Sequence, residues 1–399
     1  MPGTPPGCRN RLVERSRFQW HSSAGGDPAE LLEAFLAGHG FPVRDLSRRA
    51  PPASHLPGTP CGAAVLISAA AGARMVDAGP GPATPVPAVP DVVAVVYAHS
   101  PLESESGPFG STPFDSAPLG SARPWWLGRW RESWTARRHA AAVAETRAAI
   151  ARGDVYQVNL VGHASARYLG DPLPALGRLA TLPGARYGGV LVGTGWAVGC
   201  ASPETLIEVT SGRLVTRPIK GTRPATEAGR RELLASAKER AEHVMIVDLA
   251  RNDLARVART GSVRVDQLYA IRRWCDLWQA ESTVSAHPTD GLGLAGLLRA
   301  VCPGGSVTGA PKLAALARIA ASEPVGRGPS MGVLGWIGAD RLDLGLTIRT
   351  AAADADRLHL WAGGGITWGS DPAAEVAEAA AKAGPLRAAL AATVNSDDG

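Results

Sequence analysis

The sequence predicts an α+β protein, in which strands and helices both recur along most of the chain. Short apolar runs such as Val92 to Tyr97 have the length and the β-branched content of strands. A Ser211-Gly212 pair between two further runs of this kind, Thr205 to Val209 and Leu214 to Ile219, predicts a β-hairpin. Two longer segments, Glu132 to Arg152 and about Ala228 to Val257, have the apolar spacing of helices. No repeat of solenoid length interrupts this pattern.

The chain divides by composition into two parts. Residues 1–125 are rich in Pro, Gly, Ala and Ser, with a predicted helix at Glu30 to Gly38 and a predicted strand at Ala63 to Ile67. The turn-rich stretch at about residues 102–123 is predicted to be a linker or surface loop. Residues 126–392 hold every motif discussed below and are predicted to form the functional domain.

Length and charge limit the possible partners. A chain of 399 residues with 45% hydrophobic residues can bury a large core. The formal net charge of +5 favours an anionic partner, but the basic residues are scattered, so nucleic acid is not expected. The five cysteines never form a Cys-x-x-Cys pair, and no apolar run reaches membrane-spanning length. We therefore expect a cytoplasmic protein with a small acidic partner and no membrane association.

Lys220 is the first candidate functional residue. Only four of the 41 basic residues are lysines, and this one lies in Arg217-Pro-Ile-Lys-Gly-Thr-Arg-Pro224, between a strand-like run and a Gly-Thr turn. A desolvated lysine can lose its proton and act as a base or nucleophile, which arginine cannot do. Residue type alone leaves open a surface lysine at a strand end.

The Ser211-Gly212 hairpin predicts a carboxylate beside this lysine. If Ser211 and Gly212 form the turn, paired positions sum to 423, and Glu204 lies opposite Ile219 and next to Lys220. One interpretation is a cross-strand ion pair that contributes less than about 1 kcal/mol. The other is a general acid next to a nucleophilic amine, each changing the pKa of the other.

Two pairs of glutamates have the same spacing. Glu239 and Glu242 lie three residues apart in one predicted helix, and Glu375 and Glu378 repeat the pattern in the last helix, with Lys382 one turn further on. A single pair is usually a solvated helix face. Two pairs supply the oxygen ligands that Mg²⁺ prefers, so a magnesium site and two solvated faces both remain open.

Arg349 is the candidate carboxylate-binding residue. It lies in Leu342-Asp-Leu-Gly-Leu-Thr-Ile-Arg-Thr, a predicted strand that a turn at Asp354 to Asp356 connects to the glycines of Ala362-Gly-Gly-Gly-Ile366. Hairpin pairing places Arg349 near Trp361. Arginine binds carboxylates with two hydrogen bonds, and glycines allow close approach to the backbone. A solvent-facing arginine near a β-bulge is the alternative.

Together these motifs resemble the chorismate-utilising enzyme family, over about residues 135–390. Their order along the chain makes the resemblance specific. The resemblance implies two large β-sheets packed together with helices outside, the fold of anthranilate synthase component I, with the N-terminal region completing it. The matching motifs are Gly153-Asp-Val-Tyr-Gln-Val-Asn-Leu160, Ser202-Pro-Glu204, Pro218-Ile-Lys-Gly-Thr222, Lys238-Glu-Arg-Ala-Glu-His243, Val247-Asp-Leu-Ala-Arg-Asn-Asp253, Pro303-Gly-Gly-Ser-Val-Thr-Gly-Ala-Pro-Lys312, Ile348-Arg-Thr350, Ala362-Gly-Gly-Gly-Ile366 and Ser370-Asp-Pro372.

The resemblance also implies a site for chorismate, a dicarboxylate, with Mg²⁺ as cofactor. It makes Glu204 the acid that helps the C4 hydroxyl to leave, and Glu242 and Glu378 the direct metal ligands of an acidic cluster. The implied metal cluster is Glu239, Glu242, Glu375 and Glu378. The implied substrate-binding residues are Gln157, Gly221, Thr222, Arg349, Gly363, Gly364, Gly365 and Lys382.

Two positions indicate the branch of the family. Isochorismate and salicylate synthases have a water-activating lysine where this chain has Gln157, and glutamine is a poor base. Lysine at position 220 resembles aminodeoxychorismate synthase component I, whereas anthranilate synthases usually have alanine there. The implied mechanism has Lys220 attack C2 as the hydroxyl departs, after which ammonia adds at C4. Desolvation or positive neighbours such as Arg217 and Arg223 would keep the Lys220 amine unprotonated.

The implied partner is a separate glutamine amidotransferase that supplies ammonia, because no cysteine lies in a Gly-x-Cys-x-Gly context. Gln279 replaces a histidine of the family, and Ser330 replaces an aromatic residue that lines the family's pocket. The missing imidazole disfavours pyruvate elimination to anthranilate, but anthranilate synthase component I stays one alternative. The two replacements motivate the other alternative, a catalytically lapsed chorismate-fold binding protein.

Overall fold

The computed structural model describes residues 12–49, 56–100 and 124–392. Within these ranges the chain forms two large antiparallel sheets with helices packed against them, so the predicted α+β class is confirmed. The predicted linker at about residues 102–123 lies outside the described residues.

Ten strands form the first sheet, in the order β1-β3-β2-β15-β16-β9-β10-β13-β11, with β12 paired to β13. The N-terminal strands β1 to β3 extend this sheet beyond β15, because β2 pairs with β15. These strands are β1 (Leu12–Trp20), β2 (Pro60–Ile67), β3 (Val92–His99), β9 (Thr205–Thr210), β10 (Arg213–Arg217), β11 (Ile219–Pro224), β12 (Arg264–Trp274), β13 (Leu277–Ala286), β15 (Val333–Gly338) and β16 (Arg341–Leu346).

The second sheet has the order β14-β6-β18-β17-β8-β7, and two short strands also pair with β6. Side chains from both sheets share one hydrophobic core, including Val198 from the second sheet and Ile207 from the first. The second sheet contains β4 (Trp126–Leu127), β5 (Arg131–Glu132), β6 (Gln157–Leu169), β7 (Tyr187–Gly193), β8 (Trp196–Ser202), β14 (Gly309–Ala310), β17 (Thr350–Ala353) and β18 (Arg357–Ile366).

Six of the nine helices in the described ranges begin at a residue whose side chain caps the first turn. Asp371, for example, accepts hydrogen bonds from the first turn of the last helix, and Pro372 follows it, as expected for a helix start. None of these helices has the length and apolar character required to cross a membrane. They are α1 (Pro28–Gly38), α2 (Ala69–Arg74), α3 (Ala136–Ala151), α4 (Leu173–Ala180), α5 (Glu227–Ala235), α6 (Ala237–Ala255), α7 (Leu294–Val301), α8 (Lys312–Ser322) and α9 (Pro372–Ala391).

The predicted hairpin is confirmed, with one shift in register. Leu214 pairs with Val209, as the sum of 423 requires, and a bulge after Val215 then pairs Arg217 with Thr205. The run predicted as Leu214 to Ile219 is two strands separated by Pro218, and the second one pairs with β13. Proline has no N–H for a sheet ladder, which explains the break.

Two predicted helix boundaries are wrong. The single helix at about 228–257 is two helices, α5 and α6, because Ser236 has extended backbone and its hydroxyl caps α6 by accepting from the Glu239 N–H. Glu132 lies in strand β5, and helix α3 begins only after Thr135, whose hydroxyl caps it. Capping side chains decided both boundaries.

Candidate active site

Two crossings between the sheets position Glu204 and Arg349. The chain passes from β8 to β9 through Ser202-Pro-Glu204, and from β16 to β17 through Thr347-Ile-Arg349. The predicted continuous strand through Arg349 is therefore wrong: the chain changes sheets there, and Arg349 has a positive φ of 54°. The crossings bond to each other, since the Leu346 N–H donates to the Glu204 carbonyl at 3.1 Å.

A cavity of about 110 Å³ opens at these crossings. Strand β11, the glycines of β18 and helices α6 and α9 form its other walls. All of the predicted site residues except Gln157 line it: Glu204, Lys220, Gly221, Thr222, Glu239, Glu242, Arg349, Gly363, Gly364, Gly365, Glu375, Glu378 and Lys382.

Gln157 lies directly behind the cavity wall. Its side chain is fully buried on β6, and both of its amide atoms lack a hydrogen-bond partner. A methyl group at position 365 would overlap the Lys220 amine and come within 3.2 Å of the Gln157 Nε2 atom. Gly365 therefore leaves the space in which Lys220 and Gln157 approach each other.

Lys220 differs from the other three lysines in its partners. Lys238, Lys312 and Lys382 are each paired with a carboxylate. Among the described residues no carboxylate lies within 4.0 Å of the Lys220 amine. Desolvation lowers the pKa of this amine below its ordinary value, against the negative charges of Glu242, Glu378 and Glu204, which raise it; the positive charge of Lys382 adds to the lowering.

The positive neighbours of Lys220 are not the expected ones. Arg217 is paired with Glu208 at 2.8 Å, and Arg223 is paired with Glu239 at 2.9 Å. Of the two predicted causes, desolvation is confirmed, whereas neither arginine is among the groups that shift the pKa of Lys220. Both guanidinium groups are held by carboxylates of the flanking elements, which the local sequence could not indicate.

Glu204 is a buried carboxyl group, with 4% of its surface exposed. One of its oxygens accepts a hydrogen bond from the Ile219 N–H at 3.3 Å, which is the neighbour that the hairpin predicted. Desolvation raises the pKa of Glu204 to about 7, despite opposing hydrogen bonds from Ser306 and Ile219. A carboxyl group with this pKa can hold or release a proton near neutral pH.

Arg349 carries a buried donor without a partner. Its guanidinium lies over the ring of Trp274, 3.6 Å from the ring centroid, and its Nη1 atom has no hydrogen bond. Burial lowers the pKa of this group. A buried N–H without a partner is costly, and a carboxylate in the cavity would satisfy it. Trp361 lines the same cavity, but the predicted pairing of Arg349 with Trp361 is wrong, because β17 begins after Arg349 and its register pairs Ala351 with Leu360.

The two glutamates of α6 have different partners. Glu239 accepts from Arg223, and Glu242 accepts from the Thr367 hydroxyl at 2.7 Å while lying 3.8 Å from Lys238. Both side chains are largely buried, so these contacts offset the cost of burying two carboxylates.

The two glutamates of α9 have pKa values shifted in opposite directions. Lys382 is bound to Glu378 at 2.6 Å and lowers the pKa of that carboxyl. Burial raises the pKa of Glu375, and the negative charge of Glu378 adds to this rise. The Lys382 amine also donates to the Gly363 carbonyl at 3.1 Å, which joins the helix to the glycine strand.

The chemistry of these four carboxylates fits Mg²⁺, because hard cations bind carboxylate oxygens and water. All four line one cavity. Within the described ranges, however, no three His, Cys, Asp or Glu side chains are grouped closely enough to hold a metal ion. Existing partners such as Arg223 and Lys382 occupy part of their bonding capacity.

Asn159 is a cavity residue that the sequence analysis missed. It is buried on β6, its amide donates to the Ser306 carbonyl at 3.2 Å, and its Oδ1 atom has no partner. It lies two residues after Gln157, and alternate residues of a strand share one face. The period of two could therefore have identified it.

Gln279 lines the cavity, so the replacement of the family's histidine changes the wall itself. Ser330 does not line it. Its hydroxyl donates to the Thr347 carbonyl at 3.3 Å, beneath the crossing that carries Arg349. Its neighbour Met331 lines the cavity instead.

The fold and the cavity define a two-sheet α+β protein with a buried, polar site of a size and charge suited to a small dianion. Residues 98–388 match the model of the chorismate binding enzyme family. The chain belongs to this family.

Similar proteins include two kinds of family member. The chain is 39% identical to anthranilate synthase component 1 of Streptomyces coelicolor over 275 residues, which are 66% of this chain and 54% of that protein. It is 38% identical to aminodeoxychorismate synthase component 1 of Salmonella typhimurium over 256 residues, or 62% and 56% of the two chains. The chain thus spans about half the length of the curated relatives that it matches.

Among solved structures, anthranilate synthase component I from Streptococcus pneumoniae has the same fold. The TM-score is 0.75 at 24% identity, over 97% of this chain and 93% of that one. The predicted fold, two packed sheets with helices outside, is confirmed.

Proposed function

We propose that this protein is an aminodeoxychorismate synthase component I, which converts chorismate and ammonia to 4-amino-4-deoxychorismate. The observation that supports this proposal most strongly is the environment of Lys220. Its desolvated amine has no carboxylate partner in the described residues and shares a cavity with Glu204 and Arg349. Residues 126–392 would form the catalytic domain. A glutamine amidotransferase would supply ammonia in the cytoplasm.

Substrate binding would begin at Arg349 and the glycine strand. The unpaired Nη1 atom of Arg349 would donate to a substrate carboxylate. Gly363 to Gly365 let the substrate approach the backbone closely, and Lys382 supplies a second positive charge beside the same strand. Gly221 and Thr222 follow the nucleophile and would hold the ring beside it.

The residues would then divide the chemistry. Lys220, unprotonated, attacks C2, and Glu204 gives its proton to the departing C4 hydroxyl, which leaves as water. Ammonia adds at C4, the bond to Lys220 breaks, and the surplus proton returns to Glu204. Gln157 lies beside the Lys220 amine with a neutral amide, which does not compete with it as a base.

Magnesium would be held by Glu242 and Glu378, with Glu239 and Glu375 beside them. When bound, it would supply positive charge to a substrate carboxylate. In its absence the same glutamates hold Lys238, Lys382 and Arg223 in place.

Anthranilate synthase component I is the second candidate, because the relatives of both kinds are about equally similar. Mass spectrometry after incubation with chorismate, ammonium and magnesium separates the two. We expect 4-amino-4-deoxychorismate; anthranilate fluorescence without an added lyase would reject the proposal. Chorismate turnover that Lys220→Ala abolishes would exclude a protein that only binds.

A further inference from the structure

A separate cavity of about 200 Å³ lies between helices α3 and α9, against strands β6 and β18. Ala362 is the one residue that lines both this cavity and the candidate active site. Helix α9 forms a wall of each: Glu378 and Lys382 line the candidate active site, whereas Ala379 and Ala383 line the other cavity. The two cavities are therefore different spaces on either side of one helix.

Two buried aromatic side chains in this second cavity carry nitrogen atoms without a hydrogen bond. Trp134 and His139 each have 6% of their surface exposed, and their rings stack with centroids 4.5 Å apart. Both rings line the cavity. Among the described residues, no group forms a hydrogen bond with the indole N–H or with either imidazole nitrogen. Buried polar groups without partners cost free energy, so these nitrogens favour a ligand that can bond to them.

The charges around the cavity are already balanced, which favours a neutral ligand. Glu132 and Arg387 both line the cavity, and they form an ion pair with each other. Desolvation lowers the pKa of His139 below its ordinary value, against the negative charge of Glu132, which raises it. The imidazole is therefore neutral at pH 7. An ion entering the cavity would lose its hydration without gaining an unpaired counter-charge.

The other walls are largely apolar and leave room for one ring. They include Leu360, Val376, Ala379 and Ala383. An apolar protein cavity of about 150 Å³ holds one benzene molecule, so this space has room for a six-membered ring with one polar substituent.

A hydroxyl group matches the two unpaired nitrogen-bearing rings. The indole of Trp134 offers only a donor, whereas the neutral imidazole of His139 offers one donor and one acceptor. A hydroxyl oxygen accepts from the indole N–H, and the hydroxyl proton is donated to the imidazole. Gly162 keeps the space that the indole needs, because a methyl group at that position would lie 2.8 Å from the Trp134 Nε1 atom.

We propose that the cavity between α3 and α9 binds a small neutral ring molecule that carries a hydroxyl group. The hydroxyl bonds to Trp134 and His139, and the ring packs on the apolar wall. Binding here does not depend on the proposed function, because none of the residues assigned to catalysis, substrate or metal lines this cavity. The bound molecule contacts the helix that also carries Glu378 and Lys382.

Phenol is the probe that tests this site, and toluene is the matched ligand, equal in size but without the hydroxyl. We expect calorimetric titration of the wild type to give a dissociation constant for phenol on the order of 1 mM, with toluene bound roughly tenfold more weakly. His139→Phe keeps a ring stacked on Trp134 and removes the two nitrogens. It should weaken phenol binding roughly tenfold and leave toluene binding unchanged.

A second pair of variants tests the place of binding. Ala379→Leu adds three carbon atoms to the cavity wall, and Ala377→Leu adds them at an exposed position of the same helix outside the cavity. We expect phenol binding to be lost in Ala379→Leu and to equal that of the wild type in Ala377→Leu. If melting curves show Ala379→Leu unfolded, Val376→Phe, one turn earlier, replaces it under the same criteria.

Four results would overturn the inference. The wild type would fail to bind phenol at concentrations on the order of 10 mM, tenfold above the expected dissociation constant. The Ala379→Leu and Ala377→Leu proteins would bind phenol equally. His139→Phe would bind it as the wild type does, or the wild type would bind toluene and phenol equally. None of these results bears on chorismate turnover, which tests the proposed function separately.

Discussion

Polar groups at the floor of the candidate active-site cavity lack partners, whereas those at its rim are already paired. Asn159 and Arg349 on the floor, and Gln157 directly behind it, each carry a buried polar atom without a hydrogen bond. On the same floor, Lys220 and Glu204 have pKa values shifted by burial away from their ordinary charged states. Because orphaned buried groups cost free energy, the floor is less stable without a ligand than with one.

The rim consists of the glutamates of α6 and α9. Cations or a hydroxyl group hold three of them: Arg223 holds Glu239, Thr367 holds Glu242, and Lys382 holds Glu378. A metal ion would exchange one set of favourable contacts for another. The comparison teaches that substitutions on the floor should affect chemistry strongly, and substitutions at the rim should affect metal affinity modestly.

The largest effect is expected for Lys220→Met, which keeps the stem and removes the amine. Loss of the nucleophile should lower kcat by at least roughly 10³-fold, as removal of covalent catalysis does. Lys238→Met removes a rim lysine that forms an ion pair with Glu242. It should lower kcat about tenfold or less, because a single ion pair of this kind contributes little. Product formation followed by mass spectrometry measures both variants. An equal loss of kcat in the two would contradict the proposed difference between floor and rim residues.

Glu204→Gln should lower kcat by roughly 10²- to 10⁴-fold, because the amide cannot donate the proton that a carboxyl group supplies. In the wild type, kcat should decline as the pH rises through about 7, the pKa of Glu204. The lowered pKa of Lys220 adds an acidic limb, since protonation of the amine removes the nucleophile. A pH–rate profile that keeps its alkaline limb in Glu204→Gln would contradict this assignment.

The same substitution should stabilise the protein at alkaline pH. The folded pKa of Glu204 is raised, so the native state holds a proton that the unfolded state has lost, and wild-type stability falls as pH rises from about 4.5 to 7. Glu204→Gln removes this loss and should raise the free energy of unfolding at pH 8 by roughly 1–3 kcal/mol. Urea unfolding at pH 5 and pH 8 measures this. If the variant and the wild type differ in the free energy of unfolding by the same amount at both pH values, the raised pKa of Glu204 does not cause the difference.

Arg349→Met should weaken chorismate binding roughly 30- to 100-fold, the effect of losing a charged hydrogen bond of about 2–3 kcal/mol. The apolar side chain can still pack on Trp274, so the free energy of unfolding should not fall. Calorimetric titration and thermal melting measure the two effects. A large loss of stability would mean that Arg349 is a structural residue.

The smallest effect is expected at the rim. Glu239→Gln should raise the magnesium concentration for half-maximal activity roughly three- to tenfold, since one anionic oxygen donor is lost. Glu232→Gln is the matched control, because Glu232 also pairs with Arg223, at 3.2 Å, but does not line the cavity. An equal rise in the magnesium requirement of the control would show that the lost partner of Arg223, and not a lost metal ligand, causes the effect.

The sequence by itself determined the elements and most of the candidate residues. The turn at Ser211-Gly212 fixed the pairing of Leu214 with Val209, and the order of the motifs identified the family. These features depend on residues close together in the chain, where turn preference and side-chain period act directly.

Only the tertiary structure decided which charged groups of the described residues form ion pairs and which have no ion-pair partner. Arg223 reaches Glu239 on another element, and two crossings between sheets bring Glu204 and Arg349 to the same cavity. The physical reason is that desolvation and ion pairing depend on every group that surrounds a side chain, whatever its distance along the chain.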